Sequence, residues 1–212
     1  MKSLNNKTIG RITIAAGISA LIGTLAMIEV MVIGNSGLLS DYMTIFTSLL
    51  SVPLMSALGK IVITKNKNLG RAVQILGVLG ALIVFFGGII NVTALNGVIE
   101  YENQASWIMV GQGLIGIAII TFLMLSRNNP ALKKGYLWFS MVFGIAMAMS
   151  FLGLVFREEL NAILQGGLSI AESSLGLKLL LFFVSPTTIL GQLVWLLWSG
   201  RLFLKGKLSI EA

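Results

Sequence analysis

The chain predicts an all-α fold, a polytopic bundle of six transmembrane helices, and three observations carry that prediction. Six long apolar stretches, separated by short loops, fill almost all of its 212 residues. Each is long enough to cross a hydrocarbon core of roughly 30 Å, which takes about 20 helical residues at about 1.5 Å apiece. Composition agrees: 56% of the residues are hydrophobic and 11% charged, with a mean hydropathy of +0.94, where soluble domains carry about 25% charged residues. Finally, 13 of the 15 Lys and Arg residues fall at one end of a bundle that crosses six times.

The elements follow in order. Lys2, Lys7 and Arg11 precede the first span, 12–33. Basic residues before an apolar run resemble a signal peptide, but this run exceeds the roughly 7–15 residues of a signal core and lacks a small-residue cleavage site, so a retained span is expected. Gly34-Asn35-Ser36-Gly37 makes a turn into the second span, 42–63, where Pro53 lies halfway along, flanked by Ser51 and Ser56. A proline there removes a backbone hydrogen bond and can kink the helix. The turn cluster Lys65-Asn66-Lys67-Asn68 leads to the third span, 72–95, and the fourth is 106–126. Arg127-Asn128-Asn129-Pro130 turns into the fifth, 136–156, and the sixth is 179–204 with Pro186 inside it. Tyr101, Trp107, Tyr136, Trp138 and Trp198 fall near span ends, where amphipathic rings sit at headgroup level.

Small residues stripe several spans: Ala16 and Ala20 in the first, Gln74, Gly77, Ala81 and Gly88 on one face of the third, Ser140, Gly144 and Ala148 in the fifth. Such faces let helix backbones approach closely in lipid. The fifth loop is longer than the others. Leu160, Ile163 and Leu164 fall at helical spacing and Gly166-Gly167 breaks the pattern, which predicts a short amphipathic helix on the outer surface, between spans five and six, capping the bundle. Residues 1–212 read as a single integral membrane domain with no linker and no soluble domain.

Charge sets the orientation. The end opposite the basic one holds only Arg157 and Lys178, with Asp41, Glu100, Glu102, Glu158, Glu159 and Glu172. Short loops rich in Lys and Arg stay cytoplasmic, so an N-in, C-in, multi-pass protein of a plasma (inner) membrane is expected. The net charge of +7 therefore has a topological cause. Nucleic acid is not an expected partner, because no basic run is interleaved with base-stacking aromatics. The lipid bilayer is, with anionic headgroups attracted at about 1 kcal/mol per cation.

The chain contains no Cys and no His, so disulfides, thiolate chemistry and the commonest metal ligand and proton shuttle are excluded. No cofactor or metal is expected. Gly111-Gln112-Gly113-Leu114-Ile115-Gly116 matches a dinucleotide fingerprint literally, but that motif works only between a strand and a helix, with an acidic residue about 20 positions on. Here it lies inside an apolar span, and the glycines read as packing. Two glycosylation sequons, at Asn6 and Asn91, are unusable: one is cytoplasmic by the charge rule and the other abuts the membrane.

Polar residues within the spans are the candidate site. Glu29 is the only acidic residue inside a predicted span, where a charge at mid-depth costs about 2.5–3.5 kcal/mol; its place near the outer end suits a carboxylate reaching the headgroups or pairing with Arg157. Asn91 and Gln112 are expected at similar depth. Ser185, Thr188, Gln192 and Ser199 share one face of span six. If these faces converge, Glu29, Asn91, Gln112, Arg157, Thr188 and Gln192 form a polar pocket in the outer half. An enzyme is not expected, since no nucleophile sits beside a base and every lysine lies at a span boundary.

The stretch from Trp107 through the glycine motif to Leu125-Ser126-Arg127, then Leu152-Gly153 and the closing Leu193-Val194-Trp195-Leu196-Leu197-Trp198-Ser199-Gly200-Arg201-Leu202, resembles small bacterial six-span integral membrane proteins of unknown function. The resemblance implies a bacterial plasma membrane and supplies no activity. The expected role is non-catalytic: binding a lipid, a small apolar ligand or a partner membrane protein at the outer-leaflet pocket. The alternative is a small transporter or channel subunit acting as a homo-oligomer. A cavity continuing past Gln192 to Gln74 favours transport, and one ending blindly above Ile22 favours binding.

Overall fold

The computed structural model describes residues 5–33, 38–95, 104–164 and 167–210, and all secondary structure among them is helical. The helices are α1 (Asn6–Ile33), α2 (Leu38–Ile63), α3 (Lys67–Leu95), α4 (Gln104–Ser126), α5 (Lys134–Met149), α6 (Leu152–Val155), α7 (Arg157–Leu164), α8 (Leu175–Leu179) and α9 (Ser185–Leu204), with a π-helical turn, Leu180–Val184, joining the last two. Six stretches are long and apolar enough to cross a membrane: α1 to α4, the α5–α6 pair, and the run from α8 through α9. This is compatible with a membrane protein. The predicted Gly34–Gly37 turn, Tyr101, Glu100, Glu102 and Gly166 lie outside the described residues.

Each spanning helix packs on its neighbours in sequence, and α9 returns to α1 and α5, so the six close into a ring. The first and last described segments meet at one end of that ring, where Asn6 Nδ2 donates to Ser209 Oγ at 2.9 Å and Asn6 Oδ1 accepts from Ile210 N at 3.1 Å. The ring's exterior is apolar. Leu25, Phe86, Met124, Trp138, Phe182 and Phe183 are all more than half exposed, while Thr13, Thr47, Ser140, Thr188 and Ser199 are buried. An apolar outer surface of this extent suits acyl chains rather than water.

Glycines set the helix spacing. A Cβ on Gly80 would lie 2.6 Å from the Gly111 carbonyl oxygen, and one on Gly111 equally close to that of Gly80. Gly10 and Gly200 meet in the same reciprocal way across α1 and α9, at 2.9 Å. Gly116 faces the α5 backbone at Gly144. The nucleotide-like motif is thus three separate contacts, with Gly111 on α3, Gly116 on α5 and Gly113 against the Phe151 ring. The striped face of α3 packs on α2 as its small residues imply: Gly77 abuts Met55, and Gly88 abuts Ile45.

The half of the ring that holds the termini is filled. Leu54, Leu58, Ile119, Phe122, Phe143 and Trp195 are at most 2% exposed, and the Phe143 and Trp195 rings lie 5.6 Å apart. Tyr136 OH and Ser199 Oγ share a buried hydrogen bond of 3.0 Å there.

Two departures from regular helix occur in the other half. The fifth span, expected to run unbroken to residue 156, breaks after Met149 and resumes at Leu152. The sixth passes through the π turn immediately before Pro186. Proline lacks the amide an α-helical ladder requires, and Ser185 Oγ donates to the Leu180 carbonyl at 3.2 Å. A short helix, α7, follows the fifth apolar stretch, and its Leu160 and Ile163 pack on a small cluster of Leu177, Leu180 and Val184. In the following turn, Glu172 accepts from Ser169 N at 3.1 Å and Ser169 Oγ at 2.7 Å, bonds that hold its carboxyl below the usual range. A depressed pKa stabilises the turn above the ordinary carboxylate range and is lost as pH falls through the lowered value. Amide exchange at Ser169 should therefore accelerate only in acid, and Glu172→Gln should remove that pH dependence.

Candidate functional site: a central cavity lined by all six spans

A cavity of about 110 Å3 lies within the ring, in the half away from the termini. One water occupies roughly 10–15 Å3 on this scale, so the space admits several waters or a small molecule. Every spanning helix contributes to its wall. The second contributes most, through Ser40, Thr44, Thr47, Ser48 and Ser51, which repeat at spacings of three and four and so share one helical face. Across the ring, Gln112 of α4 and Gln192 of α9 present carboxamides, and Thr24 of α1 adds a further hydroxyl. Among the described residues, no charged side chain lines the cavity.

Most of these hydroxyls have spent their protons. Thr24 Oγ1 donates to the Ala20 carbonyl at 2.8 Å, Thr44 Oγ1 to Ser40 at 3.0 Å, Ser48 Oγ to Ile45 at 2.9 Å and Ser51 Oγ to Thr47 at 2.7 Å. Back-bonding of this kind is how Ser and Thr sit inside apolar helices, and it leaves each oxygen as an acceptor. Thr47 is different. Its Oγ1 is buried without a hydrogen-bond partner among the described residues, a condition that costs about 1–3 kcal/mol. Neither the Gln112 nor the Gln192 amide is hydrogen-bonded to a described residue, so both remain able to donate and to accept.

A side recess of about 130 Å3 adjoins this cavity, and Gln112 and Ile189 border both spaces. Ser150, at the break in the fifth span, Ser185 and Thr188 line it, with Leu180 and Val184 from the π turn. Thr188 Oγ1 donates to the Val184 carbonyl at 2.8 Å.

Of the six residues expected to form the pocket, Gln112 and Gln192 line the central cavity, Thr188 lines only the side recess, and the other three line neither. Asn91 is four residues from the end of α3 and Gln112 eight into α4, a difference of about 6 Å in depth at about 1.5 Å per residue. Asn91 serves the rim instead, where its Nδ2 donates to Asp41 Oδ1 at 2.8 Å and ties α3 to α2. Asn91→Ala should lower stability by about 1 kcal/mol, between the value of a neutral interhelical bond and one to a carboxylate; thermal unfolding in detergent reads this. Glu29 is exposed near the end of α1, and Arg157 is exposed at the start of α7; neither lines the cavity. Glu29→Gln should leave ligand occupancy of the cavity unchanged in a binding titration. The hydroxyl face of α2 is the part of the site not anticipated, although its spacing is visible in the sequence.

The cavity stops at mid-depth. Gln74 is absent from its wall, donating instead through Nε2 to Ser56 Oγ at 3.0 Å, and the packed aromatic half lies beneath. A ring of six long apolar helices around a cavity with no charged side chain among its described lining residues is the class that the fold and site define. No family model matches the chain, and neither a curated protein nor a solved structure does so.

Proposed function

We propose that this is a non-catalytic multi-pass membrane protein that binds a small, uncharged, polar molecule in the central cavity. The observation that carries this reading is the wall itself: five hydroxyl residues on α2 and two carboxamides opposite, with no ionised group among the described residues that line it. Burying an unpaired charge against such a wall is costly, whereas donors on a neutral ligand find the waiting acceptors. The cavity's blind end supports binding rather than passage. The basic residues gathered at the other end support an orientation with both termini in the cytoplasm, so the cavity opens outward. A bacterial plasma membrane, as the resemblance implies, fits this arrangement.

The chain's lack of cysteine makes the test clean, because any introduced thiol is the only one. Thr47→Cys should react with a membrane-impermeant thiol reagent added outside intact cells, and Leu58→Cys, within the packed half, should not. Ser51→Phe should fill the cavity and abolish ligand protection of the Thr47→Cys thiol. Labelling of Thr47→Cys only from the cytoplasmic side would reverse the orientation and end this reading.

A second reading, a small transporter or channel subunit working as a homo-oligomer, draws on a specific feature. The π turn and the break at Ser150 both border the side recess, and mid-helix irregularities of this kind often mark hinges. Flux through proteoliposomes containing the purified protein, absent with the Ser51→Phe variant, would favour it.

A further inference from the structure

The end of the ring that carries the termini holds a second concavity, separate from the central cavity and sharing none of its residues. It encloses about 560 Å3, within the roughly 300–1,000 Å3 of small-ligand sites. Lys133, Arg201, Lys205 and Lys207 supply its charge, and Val194, Leu197, Trp198 and Leu202 its apolar wall. Among the described residues no acidic side chain lines it, and none of the four cations is hydrogen-bonded or ion-paired to a described residue through its side chain.

The backbone builds this site deliberately. Val194, Trp198, Arg201 and Lys205 follow one another at helical spacing along a single face of α9, apolar toward the middle of the span and cationic at its end. Past Lys205 the chain turns at Gly206, whose φ of +64° is a left-handed conformation that glycine adopts without strain. That turn lets Lys207 N bond the Leu202 carbonyl at 2.9 Å and buries Leu208, so Lys207 is folded back over the recess rather than trailing away. Lys133 reaches it from the start of α5. Trp198 is held edge-on to Tyr136, with ring centres 5.6 Å apart, and leans on Phe139 at 6.1 Å, which makes the aromatic wall rigid.

We infer that this recess binds an anionic phospholipid whose headgroup carries two phosphates, of the cardiolipin type. Four cations with no described counter-charge match two phosphates, with Arg201 able to grip one of them through paired N–H donors. A soluble anion has no use for the wall of Val194, Leu197 and Trp198, which continues the acyl-facing exterior of the ring, whereas a lipid chain does. A second copy of this chain is a poorer occupant, because the described acidic residues, Glu29, Asp41, Glu158, Glu159 and Glu172, all lie toward the opposite end and offer the recess no counter-charge.

The experiment titrates the purified full-length protein with lipid and follows its thermal midpoint. Cardiolipin should raise the midpoint saturably, phosphatidylglycerol less, and phosphatidylcholine or inorganic phosphate not at all. Arg201→Gln, Lys205→Gln and Lys133→Gln should each weaken half-saturation about fivefold, since a cation at a lipid surface contributes about 1 kcal/mol and a tenfold change corresponds to about 1.4. Their midpoints without lipid should stay at the wild-type value, and Lys205→Arg should retain binding. Lys67→Gln and Arg71→Gln, which remove cations at the same end but outside the recess, should change nothing. Equal weakening by these controls would reduce the effect to general surface charge and overturn the inference. So would equal stabilisation by phosphatidylcholine, and stabilisation by inorganic phosphate would replace the lipid with a free anion. Lys133→Gln stands on a different segment from α9, so a folding defect in the α9 variants leaves the question answerable.

Discussion

Gly116→Val is expected to destabilise the protein by about 3 kcal/mol, the upper end of what overpacking a close contact ordinarily costs. The first added carbon already lies 2.6 Å from the Gly144 carbonyl oxygen and 2.8 Å from the Met147 carbonyl carbon. Both are backbone atoms of α5, so no rotamer change relieves the clash and the two helices must separate. Where glycine replaces a knob between helices, the contact area lost on separation is the attraction that holds them together in lipid. Gly135→Ala supplies the control. Its Cβ would meet only the tip of Trp198, at 3.7 Å, an ordinary contact, and alanine should add up to about 1 kcal/mol of helix stability there. Reversible unfolding in mixed micelles measures both, and similar midpoints for the two variants would refute the packing role assigned to the glycine motif.

Trp195→Ala should cost about 3–5 kcal/mol, as truncation of a large buried aromatic does, and should also change what the cavity connects to. Trp195 is 2% exposed and stacks against Phe143 in the packed half, two residues after Leu193 and one helical turn below Gln192. Trp195 does not itself line the cavity, and removing the indole leaves a void in the packing beneath Gln192. The variant should lose stability and also admit thiol reagents deeper, so that Leu58→Cys in the Trp195→Ala background becomes reactive from outside. Loss of stability with Leu58→Cys still protected would show that the seal is spread over the remaining aromatic side chains.

Hydropathy located the six long apolar helices, because a helix able to cross a membrane demands a long uninterrupted apolar run. The helices nevertheless begin earlier than the runs, at Asn6 rather than 12 and at Lys67 rather than 72, since a helix continues into the interface, where polar residues cost little. The π turn ahead of Pro186 and the break at Ser150 carry no hydropathic signature, being shifts of hydrogen-bond register within apolar sequence. Gln112, Thr188 and Gln192 were legible as site residues because polar groups stand out in apolar helices. Asn91 and Glu29 line neither space, because rotation about the helix axis and one more turn of depth decide whether a side chain meets the cavity, the rim or the exterior. The hydroxyls of α2 were overlooked for a chemical reason: Ser and Thr satisfy themselves on their own carbonyls, so they are tolerated on any face and announce nothing until ring closure shows which way they point.

The ring is closed by its last member, and that has a bearing on biogenesis. While the ribosome is still making the fifth span, Gly10 and Gly17 of α1 have no partner, because the α9 residues that cover them, Gly200 and Leu197, do not yet exist. Until α9 is made, the nascent bundle is an open arc whose polar inner surface is uncovered, a vulnerable intermediate for quality-control proteases to recognise. Stalling synthesis before residue 185 should therefore yield short-lived chains, whereas release after 204 should yield stable ones.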